Sequence, residues 1–474
     1  MVKESTKILQ KPQVDETSLG YMLRLAAPMV VSTISLTLMQ FVDRFMVSRL
    51  GTNALAAILP AAFVAFVPGA FAMGAMTSLN TFVSQSLGRG KKRECAHYFW
   101  QMTYMGLVYF AFVVTIMWLA APWIFMVINQ PSDVAELEVV YIRIVLLAHI
   151  AAVVNWSSNS FFMGIHRPII TMYATLCGQV VNIIASYVLI FGKLGLPRMG
   201  IAGAGWGMFI GITTAAGINM TSFLSRSMDT NFQSRKTLKI DFGKMYDLLR
   251  VGLPAAFASM ANVALWGVVL VGLVGKFGTE ALAATSVVLA YTNLSVMPVV
   301  GMSAALTAAV GKAIGSGRKE IAARQTSLCL RIAILSMGLL GICFFLFRHK
   351  LMLLWSSDEK VVRTGADILI CAAVYQVFHA ARIVYAGSLQ GAGDTLWLAA
   401  ISAVGAFAIL GVGGILMITF LPSLGAVGPW IAAMSSIIAI GMANRWRFKS
   451  NKWMKIDLFK RQAAGVPIQI DIPE

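Results

Sequence analysis

One long uncharged stretch near the C-terminus constrains the fold more than any other feature. The 50 residues from Thr395 to Asn444 contain no Asp, Glu, Lys or Arg. A single helix of that length would measure about 75 Å, more than twice the roughly 30 Å apolar thickness of a bilayer. The chain must therefore turn back inside this stretch, and Leu421-Pro422-Ser423-Leu424-Gly425 is the natural turn. Two adjacent membrane spans follow from this stretch alone.

The rest of the chain has the same character. Its 474 residues are 58% hydrophobic and 12% charged, whereas soluble domains carry about 25% charged residues. The polar first twenty residues lack the apolar core and cleavage site of a signal peptide. The net charge of +18 lies mostly in loops and tails, where it sets membrane topology rather than indicating a nucleic-acid partner. The five scattered cysteines have no metal-binding spacing and are read as packing residues.

Apolar runs predict twelve membrane spans in an all-α polytopic protein. The first 21 residues are read as an N-terminal cytoplasmic segment, and residues 226–245 as a basic cytoplasmic linker between two lobes, 22–225 and 246–444. Residues 445–474 form a basic cytoplasmic tail, in which 453–459 are expected either as an interfacial helix or as disordered chain. The spans are predicted near 22–50, 54–87, 97–128, 137–163, 167–193, 202–225, 246–275, 280–313, 324–349, 362–388, 395–419 and 424–444.

Basic residues predict the orientation of the spans. They cluster after span two (89–93), in the linker (226–244), after span eight (318–324) and in the tail (445–461). Because Lys and Arg accumulate in cytoplasmic loops, both termini are expected in the cytoplasm and the protein in the inner membrane.

An internal repeat divides the chain into two halves. Residues 22–28 match 248–254, 50–57 match 277–284, 83–90 match 310–317, and Leu196-Pro197 with Gly200 matches Leu421-Pro422 with Gly425. Six spans per repeat give parallel halves related by a pseudo-two-fold axis along the membrane normal. Such repeats are typical of secondary transporters, which bind substrate between the repeats.

The ordered set of motifs resembles the multidrug and toxic compound extrusion (MATE) family. It consists of Pro28, the segment 40–43, the turn at 50–57, the Gly88-x-Gly90 loop and the segment 200–204. The resemblance covers about residues 20–445. It implies two six-helix lobes around a V-shaped central cavity, and alternating-access efflux of organic, often cationic, compounds driven by inward H⁺ or Na⁺ flow. No cofactor is implied, and a monomer is expected.

Asp43 in span one is the leading candidate for ion coupling. A carboxylate inside a span costs roughly 2.5 to 3.5 kcal/mol on insertion scales, so such residues are functional by default. Thr37 and Gln40 precede Asp43 at three-residue steps and form a slanting polar stripe with it. Pro28 removes a helix hydrogen bond and is the candidate hinge. The alternative is that Asp43 pairs with a neighbouring basic residue, although adjacent Arg44 points to another helix face.

In the family, the acid of span one works with polar groups on spans four to six. The candidates here are Asn155 and Asn159 in span four, and Asn182 with Ser186 in span five. Where some relatives carry a second acid in span five, this chain has Ser186. Where sodium-binding relatives use a Thr in span six, it has Met208, whose thioether is a poor ligand for a hard cation. The alternative role of these amides is helix–helix hydrogen bonding.

The second lobe departs further from the sodium-coupled bacterial branch of the family. Asn262 replaces a Glu in span seven, and His379 replaces an Asp in span ten, four residues after Tyr375. His379 either relays a proton or bridges helices. Arg382 follows one short turn later. It either pairs with Asp367 or Asp394, which we favour, or contacts an anionic or zwitterionic substrate.

Substrate contacts are the least determined part of the sequence. The 27 methionines suit a promiscuous surface. Trp266, Tyr291, Asn293 and Met208 are candidate cavity residues, with core packing as the alternative. No Walker loop, zinc-protease motif or nucleophile triad is legible, so neither ATP drive nor enzyme activity is indicated.

These features predict an efflux antiporter coupled to H⁺ rather than Na⁺, exporting drugs, other organic compounds or a secondary metabolite. Three alternatives stay open: a lipid-linked oligosaccharide flippase of the same superfamily, a dedicated exporter of one biosynthetic precursor, and an intramembrane enzyme such as a lipid transferase.

Overall fold

The computed structural model describes residues 15–50, 52–127, 132–264, 266 and 270–460, and all regular elements in this part are helices. The first half contains α1 (Leu19–Ser48), α2 (Thr52–Gly88), α3 (Lys92–Met126), α4 (Ser132–Gly164), α5 (Pro168–Phe191) and α6 (Ile201–Phe223). The second half contains α7 in two segments (Phe242–Ala264 and Val271–Gly275), α8 (Thr279–Gly315), α9 (Lys319–Leu353), α10 (Glu359–Ala392), α11 (Thr395–Phe420) and α12 (Val427–Lys449).

Eleven helices of the described chain are long and apolar enough to cross a membrane. The predicted seventh span corresponds to α7, whose two segments flank residues that lie partly outside the described chain. The predicted turn within the uncharged stretch is a short 3₁₀ helix, Pro422–Leu424. The helices extend beyond several predicted ends, and α12 runs five residues past its predicted end to Lys449. The twelve-span prediction is confirmed.

The two halves form lobes with the same internal packing. Helix α1 packs on α5 as α7 packs on α11, and α2 packs on α4 as α8 packs on α10. Likewise α4 packs on α6 as α10 packs on α12. The lobes meet where α1 contacts α8 and where α2 contacts both α7 and α8. This arrangement is the predicted six-plus-six repeat, with α2 and α8 on the axis.

Equivalent glycines bring α2 and α8 together at their C-terminal ends. A methyl group on Gly88 would overlap the carbonyl oxygen of Lys312, and one on Gly315 would overlap that of Gln85. Gln85 also donates to the Gly391 carbonyl at 2.9 Å. Small residues let helix backbones approach this closely inside a membrane. Both lobes are therefore pressed together at the membrane side that carries the described chain ends, called the terminal side below.

Contacts between the lobes stop about halfway across the membrane. On α1, Thr33 donates to the Met297 carbonyl at 3.3 Å, and on α2 the ring of Phe71 meets Phe257 edge-on at 5.5 Å. Nearer the opposite ends of α1 and α2, the described residues contribute no hydrogen bond, ion pair or ring contact between the lobes. The described contacts between the lobes thus lie in the halves of α1 and α2 nearer the terminal side and at the middle of these helices.

An ion-paired cluster ties the start of the chain to the second lobe. Glu16 pairs with Lys312 at 2.8 Å and with Arg318 at 2.8 Å. Burial by itself raises the pKa of Glu16, but the hydrogen bond from Lys312 and the two positive charges lower it more, so its pKa lies below the usual value. The carboxylate therefore stays ionised, and the pair intact, at neutral pH.

His166, in the loop between α4 and α5, bridges the lobes beside this cluster. Its Nδ1 lies 2.8 Å from the Tyr21 hydroxyl, and its Nε2 lies 3.2 Å from the Ala308 carbonyl oxygen in the second lobe. Burial, followed by the charge of Lys312, lowers the pKa of His166 to about 4. The ring is therefore neutral at pH 7, and the Ala308 carbonyl fixes the proton on Nε2, so that Nδ1 accepts from Tyr21.

Residues 452–459, called the strap, cross from the end of α12 to the first lobe. Phe459 is buried, 5.8 Å from the ring of Phe82 and 6.4 Å from that of Tyr98. Arg89 lies over the Phe459 ring at 3.9 Å and pairs with Asp457 at 3.2 Å. Neither the interfacial helix nor the disordered tail predicted for these residues is correct, because they form a 3₁₀ turn (Lys452–Lys455) and then insert an aromatic anchor into the opposite lobe.

Candidate functional site

Asp43 lies in the C-terminal half of α1, beyond the residues that contact the second lobe. Its side chain is half-buried, and its Oδ1 is buried without a hydrogen-bond partner. One turn later, Met46 and Val47 pack against Ile190 of α5 and Ile201 of α6. None of the described side chains forms an ion pair with Asp43, so pairing with a neighbouring cation receives no support from them. The side chain of Arg44 lies outside the described part.

The polar stripe on α1 runs from the lobe contact toward the C-terminal end of the helix. Thr33 reaches the second lobe, Thr37 donates back to the Thr33 carbonyl at 3.2 Å, and Gln40 is exposed. Pro28 is buried at the lobe contact inside a continuous helix, and Ser32 donates to its carbonyl at 2.9 Å. The stripe therefore connects the closed half of the molecule to Asp43, while the hinge role of Pro28 stays a prediction.

Asn155 of α4 is hydrogen-bonded to α6 rather than to Asp43. Asn219 donates from Nδ2 to Oδ1 of Asn155 at 2.8 Å. Asn159 leaves its Oδ1 buried and without a partner. Asn219, which is fully buried, was not among the residues predicted from the sequence. Its position 19 residues after Gly200, matched by Asn444 19 residues after Gly425, is the signal that would have identified it.

Asn182 and Ser186 lie at a close contact between α5 and α6. Ser186 donates to Asn182 Oδ1 at 3.1 Å, whereas Asn182 Nδ2 is buried without a partner. A methyl group on Gly207 would overlap Ser186, and one on Gly211 would lie 2.6 Å from the Asn182 Cβ. Both side chains therefore face α6, in keeping with the packing alternative. Met208 packs into an apolar cluster with residues of α2, α3 and α4.

The second lobe contains a buried cluster on α10. The rings of Tyr375 and His379 meet at 5.6 Å, and Arg382 donates from one terminal nitrogen to His379 Nε2 at 2.9 Å. The favoured pairing of Arg382 with Asp367 or Asp394 is wrong. Asp367 precedes Arg382 by fifteen residues of one helix, about 22 Å, and Asp394 pairs with Arg447 through Nε at 2.7 Å.

The remaining cavity candidates fall into two groups. Asn262 on α7 and Asn293 on α8 are exposed, and no hydrogen bond engages their side chains within the described chain. Trp266 meets Trp430 at 6.3 Å in the core of the second lobe, and Tyr291 donates to the Leu351 carbonyl at 2.9 Å at the end of α9. Packing thus accounts for Trp266 and Tyr291, whereas the two asparagines are free to meet a ligand.

Comparison with known proteins identifies the family of this chain. The family model MatE matches residues 28–188 and 254–415, one match in each lobe. The chain belongs to the MATE family. Its sequence relatives include proteins described as probable multidrug resistance protein NorM. The one from Chromobacterium violaceum is 27% identical over 432 residues, covering 88% of this chain and 90% of the relative. The one from Mesorhizobium japonicum is 28% identical over 439 residues, covering 90% and 92%.

Solved structures share the fold of this MATE protein at low sequence identity. A MOP superfamily transporter from Pyrococcus furiosus superposes with a TM-score of 0.83 at 19% identity, covering 92% of this chain and 96% of its own. The eukaryotic MATE transporter AtDTX14 gives 0.83 at 18% identity, covering 94% and 98%. The twelve-helix, two-lobe fold predicted from the sequence is thereby confirmed, and the protein is a multi-pass membrane transporter.

Proposed function

We propose that this MATE protein is an antiporter that exports small organic compounds across the inner membrane, driven by inward proton flow. The NorM names of its relatives favour drugs among its substrates. The observation that carries the proposal is the Asp43 carboxyl group, half-buried and without a partner among the described residues, on a helix that links the closed half to the cleft. Such a group can bind and release a proton as its surroundings change.

A proton suits this lobe better than a sodium ion. Sodium, like other hard cations, needs several oxygen ligands around one point. Here Asn155 is bonded to Asn219, Ser186 is bonded to Asn182, and position 208 offers a thioether packed into an apolar cluster. These three candidates for a cage around Asp43 are thus engaged elsewhere, and of the first-lobe asparagines predicted from the sequence Asn159 keeps an oxygen without a partner. Protonation needs only the carboxyl group itself.

The position of the described lobe contacts supports an outward-open state, in which the central cleft opens on the side opposite to them. The basic loops 89–93 and 318–324 lie on the terminal side, which the positive-inside rule places in the cytoplasm. The cleft opens on the other side, so substrate would leave the protein toward the outside. The lobe contacts on the terminal side then seal the path back to the cytoplasm.

Proton binding at Asp43 is coupled to substrate release in the proposed cycle. Neutralising the carboxylate removes its attraction for cationic groups and lets the outer half of α1 pack closer to α5 and α6. Helix α1 is held against α8 just beyond Pro28, where a methyl group on Gly301 would lie 2.9 Å from the Val30 nitrogen. A bend at Pro28, which lacks the helix hydrogen bond, would move the outer half of α1 together with Val30 and Thr33 and so loosen this contact with the second lobe.

Transport by proteoliposomes under separately imposed H⁺ and Na⁺ gradients tests this proposal. We expect substrate movement under the proton gradient alone, accompanied by counter-movement of protons. Drive by sodium alone would refute the coupling proposal. Translocation of a polyprenyl-linked sugar without either gradient would instead favour the flippase alternative, and transport of one metabolite but no drugs would favour a dedicated exporter.

A further inference from the structure

The two lobes can be aligned residue by residue around α4 and α10. A methyl group on Gly164 would lie 2.8 Å from the Cβ of Val83, and one on Gly391 would lie 3.2 Å from the Cβ of Val310. Both glycines and both valines are separated by 227 residues. The same shift places Arg382 at the position of Asn155.

Helices α6 and α12 align equally well. Gly200 and Gly425 precede them with nearly identical backbone angles, φ 56° and ψ −127° in one and φ 52° and ψ −138° in the other. Asn219 and Asn444 each follow their glycine by 19 residues, and both are buried. The Asn155–Asn219 pair of the first lobe therefore corresponds to Arg382 and Asn444 in the second.

The two equivalent pairs differ in how many of their buried polar atoms have hydrogen-bond partners. In the first lobe, the two asparagines share a hydrogen bond of 2.8 Å. In the second lobe, Arg382 donates to His379, but its Nε is buried without a partner. Asn444 Oδ1 and His379 Nδ1 are also buried without partners. A neutral, bonded pair is thus replaced by a cluster with a positive charge and unused polar groups.

The charge of Arg382 is not balanced by a carboxylate among the described residues. An unpaired guanidinium inside a membrane protein is expensive, and its planar fork matches a carboxylate. A single carboxylate would cancel one guanidinium charge, whereas a phosphate dianion would leave an excess negative charge in the same place. The cluster therefore has the chemistry of a site for a monoanionic group.

The cluster lies at the edge of the buried face of α10. Arg382 is partly exposed, and Phe378, one turn earlier, is 37% exposed. Gly441 of α12 approaches between them, because a methyl group there would lie 2.9 Å from the Phe378 carbonyl oxygen. Because intramembrane arginines almost always face the interior of the helix bundle or a water-filled cavity, the partly exposed side of Arg382 is where a solute would reach it.

We propose that Arg382, supported by His379 and Asn444, binds the carboxylate of an anionic or zwitterionic organic substrate. The inference rests on the proposed export function and names one class of its substrates. It assigns the two lobes different tasks, with the coupling proton at Asp43 and the acidic group of the substrate at Arg382.

The test uses two dyes that differ at one group. Rhodamine 110 carries a free carboxylate, and rhodamine 123 is its methyl ester. Binding to the purified protein in detergent is measured by fluorescence anisotropy, independently of any gradient. We expect wild type to bind rhodamine 110 more tightly than the ester. Arg382→Asn, which copies the first-lobe pair, should weaken rhodamine 110 binding at least about tenfold and leave ester binding unchanged.

A second variant separates recognition from structure. Arg382→Lys keeps the charge but loses the planar fork, and it should retain an intermediate preference for the carboxylate dye. Equal loss of both dyes in both variants, or no carboxylate preference in wild type, would overturn the assignment. Because binding is read without a gradient, a failure of proton coupling in the proteoliposome assay leaves this result unaffected.

Discussion

The two lobes share one architecture and carry opposite charges at their polar centres. The first lobe has the carboxyl group of Asp43 on α1 and a neutral amide pair between α4 and α6, whereas the second has the guanidinium of Arg382 and no acid on the matching helix α7 after Pro254. The backbone repeat sets where helices cross, because glycines recur at the crossings. Side chains between those crossings are free to differ, which allows duplicated lobes to take on different chemistry.

The largest expected effect comes from replacing Asp43 of the first lobe. Asp43→Asn should reduce proton-driven efflux to the background of empty vesicles, because the amide cannot take up a proton. Asp367→Asn is the matched control, since this carboxylate is exposed near the start of α10. Efflux is measured in everted vesicles at equal protein levels. Proton-driven transport that persists in Asp43→Asn would show that Asp43 of the first lobe does not carry the coupling proton.

A second prediction concerns the equivalent glycines at the axis. Gly88→Leu and Gly315→Leu should each separate the lobes on the terminal side, because their side chains would overlap the opposite backbone. Thiol reagents should then label a cysteine introduced in the contact at least about tenfold faster. Gly217→Leu is the control, since a methyl group there has no atom within 4 Å. If only one of the two substitutions increased the labelling rate, the two glycines would not hold the lobes together in the same way.

A third, smaller effect concerns pH on the terminal side. His166 corresponds to Gly393 in the second lobe, and both have left-handed backbone angles, φ 61° and 86°. Burial holds the pKa of His166 at about 4 in the closed state, against an ordinary value of 6.5. Opening therefore favours protonation, and the closed state loses stability as the pH falls below about 6.5.

Labelling of the same introduced cysteine as a function of pH checks this prediction. Because reagents react with the thiolate, the rate is divided by that of the same cysteine in unfolded protein at the same pH. This ratio should rise in wild type as the pH falls from 7 to 5, whereas it should stay constant in His166→Gln. Glu16 does not account for it, because the pKa of Glu16 lies below its ordinary value of 4.5, so this residue loses its charge only in stronger acid. An unchanged pH profile in the His166 variant would remove the histidine from the closed-state contacts.

The smallest effect compares the two amide positions directly. Asn219→Leu should cost about 0.5 to 1.5 kcal/mol of stability, since it removes a bonded partner of Asn155 inside the membrane. Asn444→Leu should cost less, because its Oδ1 has no partner to lose. Thermal unfolding in detergent measures both. Equal losses of stability in the two variants would contradict the difference in hydrogen bonding between Asn219 and Asn444.

The sequence predicted the features that depend on the order of residues along the chain. Spans, turns and the repeat follow from apolar runs and from recurring Gly and Pro, so the two-lobe fold could be predicted from the sequence. Contacts that depend on which face each helix turns toward its neighbours could not be predicted from the sequence. Arg382 and Asp394 seemed compatible by distance along the chain, yet Asp394 precedes α11 and lies beside Arg447 at the end of α12.

The strap was missed for a related reason. Phe459 follows a run of basic residues that resembles any polar tail, and no pattern within the tail indicates its partners. Those partners, Phe82 and Tyr98, are more than 350 residues away in the first lobe. Long-range aromatic contacts of this kind become visible only when the lobes are placed together.

The order of synthesis gives the strap a further consequence. The first lobe emerges from the ribosome long before Phe459 is synthesised, so the aromatic site beside Phe82 stays unfilled until then. We expect an incomplete pump to remain unsealed on the side facing the ribosome. Nascent chains arrested shortly before and shortly after the strap should therefore differ in thiol labelling at the lobe contact. Insertion of Phe459 would then mark the point at which the two lobes are joined on the terminal side.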